Sequence, residues 1–300
     1  MLGLQYFSFE ELWSPWVFFM MTALVILYFY LAGPWKEKHA PTEPRVTVLQ
    51  KILFVSGMVL YYLAQGGPLE LLGHMMFTFH MVNMSLSYLI VPPLLLLGIP
   101  AYIWRYVFAR PFWRRFSSLM NPIFTLVLFN MLFSVYHVPA VHDYVMTHFT
   151  IHRIYYLVLL ATSFMMWFQI TCPVPEWNRL TDVRKMAYIF ASGMLLTPAC
   201  ALIIFASHPM YATYNDPEVW AQAMGYCVAG DPSVLLSSYD GGPTFFNLMG
   251  VTEDQQLGGI VMKLVQEVMY GAILAYVFFH WYKKEHADSD DELPDSGALS

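Results

Sequence analysis

The chain has 300 residues, of which 58% are hydrophobic and 12% charged, against roughly 45–50% and about 25% in a soluble globular domain. That excludes a water-soluble fold, because no such fold could cover so much apolar surface. The net charge of −6 reflects the acids Glu285, Asp288, Asp290, Asp291, Glu292 and Asp295 near the carboxyl end. They read as a solvated, disordered tail over 285–300 and supply no basic face for nucleic acid.

Apolar blocks of roughly 20 residues match a helix crossing a hydrocarbon core of about 30 Å. In chain order, spans are predicted near Leu12 to Leu31, Thr47 to Ala64, Leu71 to Leu97, Pro122 to His137, His148 to Thr171, Arg184 to Phe205 and Leu257 to Tyr282. Unpaired backbone in lipid is costly, and the blocks lack the alternation of a barrel strand, so an all-α polytopic bundle of seven transmembrane helices forms one domain over 1–284. The amino end has no basic region or cleavage site, so the first block reads as a retained span.

Basic residues orient the bundle, since Lys and Arg near span ends stay in the cytoplasm. The first, third and fifth connections and the tail hold every Lys and Arg except Arg153 and Lys263. The amino terminus is therefore predicted outside and the carboxyl terminus inside. Lys263 and Glu267, four apart, are expected to pair. The long sixth connection, 206–256, is long enough to fold over the outer mouth, with a short helix over 217–227. Cys172, Cys200 and Cys227 fall at different depths and offer no disulfide pair. Pro92, Pro93 and Pro198 free backbone carbonyls inside spans, which reads first as packing. There is no internal repeat or phosphate-binding loop.

Ten histidines are present, and this topology puts His74, His80, His137, His142, His148, His152 and His208 in the outer half or outer loops. Ionisable groups in spans usually face a bundle interior or a functional site. On a single third helix, His80 and Met84 would share one face, and His74 and Met81 an adjacent one. His148 and His152 are four apart, a spacing that suits one ion. His137 ends the fourth helix, and His208-Pro-Met210 leaves the sixth at the same level. Imidazole with thioether is a soft donor set that favours copper, particularly Cu(I), over magnesium or calcium. Zinc has no Cys-x-x-Cys frame here. Set against this, a lone span histidine is more often a hydrogen-bonded interior residue, and most methionines are packing residues.

With those residues in view, the chain resembles the CtaG family of caa-type cytochrome c oxidase assembly factors of Gram-positive bacteria. The resemblance runs from about Phe7 to Tyr282. It is carried by Ser14-Pro15, Lys51-Ile-Leu-Phe-Val-Ser-Gly57, Leu71-Leu-Gly-His-Met-Met-Phe-Thr-Phe-His-Met81, Val91-Pro-Pro-Leu-Leu-Leu-Leu-Gly-Ile-Pro100, Tyr136-His-Val-Pro139 and Asp254-Gln-Gln-Leu-Gly-Gly259. It implies a non-catalytic, seven-span factor of the bacterial plasma membrane that helps copper reach the catalytic subunit of a haem-copper oxidase. His74, His80, Met81, His137 and His152 match the family pattern; Met84 stands where many relatives carry a histidine and keeps a copper-capable donor. A copper-donating extracytoplasmic chaperone is a further expected partner.

Three other functions compete. A haem or di-iron oxidoreductase could use the same histidines, although di-iron membrane enzymes place their histidine boxes at the cytoplasmic face. A small-solute or copper transporter needs a path past the midplane, and few polar residues stand in the inner halves. A metal-free scaffold needs only satisfied interior histidines.

Overall fold

A computed structural model describes residues 4–114, 117–225, 227–228, 231–238 and 242–291. Arg115 and the acidic residues from Glu292 onward lie outside the described residues. Among those described there are helices and no strands. Six helices are long and apolar enough to cross a membrane, or seven if one sharply bent pair counts as a single crossing.

The first crossing, α1 (Pro15–Tyr30), continues through a widened turn at Leu31–Trp35, where Pro34 sits, to His39. α2 (Val48–Gln65) starts in a capping box: the Thr47 hydroxyl accepts from the Gln50 N–H while the Gln50 side chain accepts from the Thr47 N–H. The predicted third span is not one helix. It divides into α3 (Pro68–Met75) and α4 (Phe77–Ser85) at Met76, whose extended backbone (φ −136, ψ 136) breaks the ladder. His74 and His80 therefore sit on separate helices, and the single-helix face pairing His74 with Met81 does not form.

Beyond Ser85 the chain passes a wide turn at Leu86–Ile90 into α5 (Val91–Gly98), with Pro92 and Pro93 in its first turn. A proline cannot donate to the carbonyl four residues back. For Pro92 that carbonyl is Tyr88, and it accepts instead from Ser163 Oγ at 2.6 Å and Trp167 Nε1 at 3.1 Å. Pro92 thus serves packing between spans. After α6 (Ala101–Phe108), α7 (Pro122–Tyr136) bends by 79° into α8 (Pro139–Met146). The cause is local, because Pro139 pushes the residue before it out of the helical region, and Val138 is extended.

The bundle is completed by α9 (Phe149–Thr171), α10 (Asp182–Ile204) and α12 (Val251–Asp291), with the short α11 (Pro217–Met224) in the connection between the last two. α11 is the helix expected over 217–227. The last helix also runs through residues 285–291, which the sequence assigned to a disordered tail. The α4–α5 rod is the central element: 72% of its span is buried, against 11% for α1. α12 packs closely on it because Gly258 has no side chain; a Cβ there would lie 2.7 Å from the Phe77 ring.

Candidate metal centre

The break at Met76 exposes the first N–H groups of α4 inside the protein, where an unpaired donor is costly. Asp254, from the start of α12, covers them. Its carboxylate accepts from the Phe77 N–H at 2.6 Å and the Thr78 N–H at 3.2 Å, and its carbonyl accepts from the Thr78 hydroxyl at 2.9 Å. This is an N-cap supplied by a residue far along the chain, and an anion suits the positive end of a helix dipole. It fixes the turn from which His80, Met81 and Met84 project into the core.

Around that turn the other elements bring their histidines. His137 terminates α7, His142 follows the Pro139 bend on α8, and His152 lies in the first turns of α9. His74, His80, His137, His142 and His152 are 4%, 2%, 5%, 0% and 4% exposed, so all five face the interior. The Nε2 atoms of His80, His137, His142 and His152 are buried with no hydrogen-bond partner. The His137 Nδ1–H donates to the Phe133 carbonyl at 2.7 Å and the His74 Nδ1–H to the Glu70 carbonyl at 3.0 Å. Each bond fixes the tautomer that leaves Nε2 with its lone pair free. His142 uses neither ring nitrogen: Asp143 Oδ1 is 3.5 Å from its Nδ1, too far for a good bond.

The rings gather in pairs. His80 and His142 have centroids 5.1 Å apart with planes crossed at 85°, and His80 and His137 lie 6.3 Å apart. On the other side, His74 and His152 are 5.5 Å apart at 79°. Among the described residues, no three His, Cys, Asp or Glu side chains are placed to hold one ion together.

The sixth connection closes over the cluster. Tyr211 Oη donates to the His137 carbonyl at 2.8 Å and Tyr214 Oη to the Gly73 carbonyl at 2.7 Å. Asp143 holds the turn between them, accepting from the Ala212 N–H and from the Thr213 N–H and hydroxyl. The rings of Phe77, Tyr136, Tyr211 and Tyr214 surround His142 at 4.7–6.2 Å. Trp220 and Met224 of α11 pack with Leu71, Leu72, Met75 and Met76, covering α3.

A family model described as "Cytochrome c oxidase caa3 assembly factor (Caa3_CtaG)" matches residues 26–284. The chain belongs to the Caa3_CtaG family. No curated protein and no solved structure matches it. The family span takes in every histidine of the cluster and the connection that covers it.

Within this Caa3_CtaG chain the remaining candidate donors are less central. Met81 and Met84 are buried in the core beside Phe77 and Tyr136, and Met210 packs at its edge. His148 is exposed, with its ring tilted against that of Tyr144 at 4.2 Å and its Nδ1–H donating to the Tyr144 carbonyl at 2.7 Å, whereas His152 is buried. His208 is exposed beside Met210 in a shallow apolar depression with Pro198 and Phe205. His142, by contrast, is at the centre, although it is not among the residues carried by the family resemblance.

Sequence reasoning missed the supporting residues Asp143, Tyr211 and Tyr214, and saw Tyr136 and Asp254 only as parts of motifs. Two aromatic residues three apart in Tyr211-Ala-Thr-Tyr214 were the available signal. It also missed that Arg153 pairs with Glu70 at 3.1 Å. Glu70 precedes the α4 span; burial raises its carboxyl to about 7, with the Arg153 guanidinium pulling the other way. Cys227, in the connection, has its thiol pushed up by burial first and by Glu70 second. It is a poor thiolate donor at neutral pH.

Few polar residues are expected in the inner halves, and a handful bond one another between helices. Along α7, α10 and α12, Thr125 bonds Tyr188 at 3.0 Å, and Asn130 bonds Ser192, which bonds Tyr270 at 3.0 Å. Nearer the cluster, Lys263 and Glu267 pair as expected, at 2.6 Å, and Lys263 also donates to Thr197.

Proposed function

We propose that this chain is a non-catalytic assembly factor of the bacterial plasma membrane that holds Cu(I) in its histidine cluster. From there it assists insertion of copper into the catalytic subunit of a haem-copper oxidase. One observation carries the reading: four fully buried imidazoles with unpartnered Nε2 atoms, drawn from α4, the end of α7, α8 and α9. A buried acceptor without a partner costs about 1–3 kcal/mol, and a soft cation removes that cost for several at once. Neutral nitrogen donors with buried methionines in the same core, and with Asp143 and Asp254 committed to backbone N–H groups and Glu70 to Arg153, suit a monovalent soft ion better than a hard divalent one.

The distribution of Lys and Arg supports an outward-facing cluster, the side on which an extracytoplasmic copper donor would meet it. The tyrosine-stitched connection then separates the site from bulk water. The test is anaerobic Cu(I) titration of the purified protein against a chromophoric chelator, with metal analysis. Tight binding is expected, and it should be lost when His74, His80, His137, His142 and His152 are replaced together. Copper occupancy equal to wild type in that variant would sink the proposal. The polar seam along α7, α10 and α12 supports a transport reading instead, and copper uptake into proteoliposomes separates the two.

A further inference from the structure

Two imidazoles that bind one ion through nitrogens about 2.0–2.1 Å from it hold their centroids roughly 5.2 Å apart at a tetrahedral angle and about 6.4 Å apart in line. His80 with His142, at 5.1 Å, and His74 with His152, at 5.5 Å, each meet that spacing. His137, at 6.3 Å from His80, falls at its linear limit. Among the described residues, no third His, Cys, Asp or Glu joins either pair to make a three-donor site.

From this the geometry points to two separate Cu(I) positions in one chain, the first between His80 and His142 with His137 beside it, the second between His74 and His152. This deepens the copper reading above and rests on it. Cu(I) is a closed-shell d10 ion that two or three soft donors satisfy, whereas structural zinc takes four. A split into pairs, which would be a defect in a zinc site, suits Cu(I) once a thioether from the buried methionines of the core completes each bent pair.

The two positions are built by different parts of the fold. The first hangs on the Pro139 bend and lies beneath Tyr211 and Tyr214. The second joins α3 to α9 next to the Glu70–Arg153 pair, which also ties those helices. Because they share no ligand, each should fill and empty without the other.

The experiment is Cu(I) stoichiometry on the full-length protein in detergent under reducing, anaerobic conditions, read by chelator competition, together with copper X-ray absorption. Two equivalents are expected, each copper showing two or three light-atom or sulfur neighbours and no copper-copper scattering. His80→Gln with His142→Gln should leave one equivalent, and so should His74→Gln with His152→Gln. One equivalent in the wild type, or loss of both when either pair is changed, overturns the two-position inference while leaving the copper reading standing. No Cu(I) binding by the wild type removes both. Should one double variant fail to fold, wild-type stoichiometry and the other variant still decide.

Discussion

The two ends of the bundle treat charge in opposite ways. At the end rich in Lys and Arg, Arg105 reaches from α6 to Glu43 and Glu176, a partly exposed pairing on the surface. At the histidine end three acids are turned inward and used as architecture: Asp254 caps α4 across the bundle, Asp143 holds the covering turn, and Glu70 meets Arg153. Exposed pairs are worth little, whereas buried groups are costly to leave without partners. The contrast explains why a site of neutral donors can exist at the second end: Asp254 and Asp143 are spent on backbone N–H groups and Glu70 on Arg153, so the imidazoles are left free.

The largest way to break that contrast is Asp254→Ala. It leaves the Phe77 and Thr78 N–H groups unpaired in the interior, at about 1–3 kcal/mol each plus the lost cap. A loss of about 4 kcal/mol is expected, read as a lower unfolding midpoint in detergent, with Cu(I) binding weakened because His80 loses its fixed turn. An unchanged midpoint would mean that the cap does not hold α4.

Glu70 gives a pH handle on the same end. Its carboxyl is raised to about 7 in the folded chain from an ordinary 4.5, so the folded state keeps this proton longer than the unfolded one. The contribution is fully present below about pH 4.5 and is lost as pH rises to about 7. The slope approaches roughly 1.4 kcal/mol per pH unit for one proton. Glu70→Gln should flatten that part of the stability profile between pH 5 and 7, and a profile identical to wild type would contradict the burial argument.

Gly258→Ala tests close packing rather than charge. The new methyl would lie 2.7 Å from the Phe77 ring and 3.1 Å from Met81 Cγ. Overpacking of this kind costs about 1–3 kcal/mol, so a moderate drop in unfolding midpoint is expected, with both copper equivalents retained.

Which parts of this were legible in the sequence follows from the length scale of each cause. Helix class and span positions come from local hydropathy, and the lipid thickness fixes them. The bend after α7 was written in His137-Val-Pro139, but its 79° angle depends on what α8 packs against. The break at Met76 could not be read, because no proline or glycine marks that residue and its cap comes from Asp254. The histidines were visible as donors, yet their sorting into pairs depends on the crossing of α3, α4, α8 and α9, which no spacing within one helix encodes. His148 shows a related limit: it stands four residues from His152, yet it is exposed where His152 is buried.

The smallest effect should come from the other end. Arg105 bonds Glu43 at 3.0 Å and also pairs with Glu176, and its guanidinium hydrogen bond holds the Glu176 carboxyl below the usual range. All three groups remain substantially open to water, so water and salt replace most of what the contacts supply. Arg105→Ala should therefore move the unfolding midpoint by about 2 °C or less. That small shift should shrink further when ionic strength rises from 0.05 to about 0.5 M. The Asp254→Ala deficit should be insensitive to the same change, because its carboxylate bonds buried N–H groups to which mobile ions have little access. An Arg105→Ala loss as large as that of Asp254→Ala, or equal salt sensitivity in the two variants, would show that the two ends are held by the same kind of force.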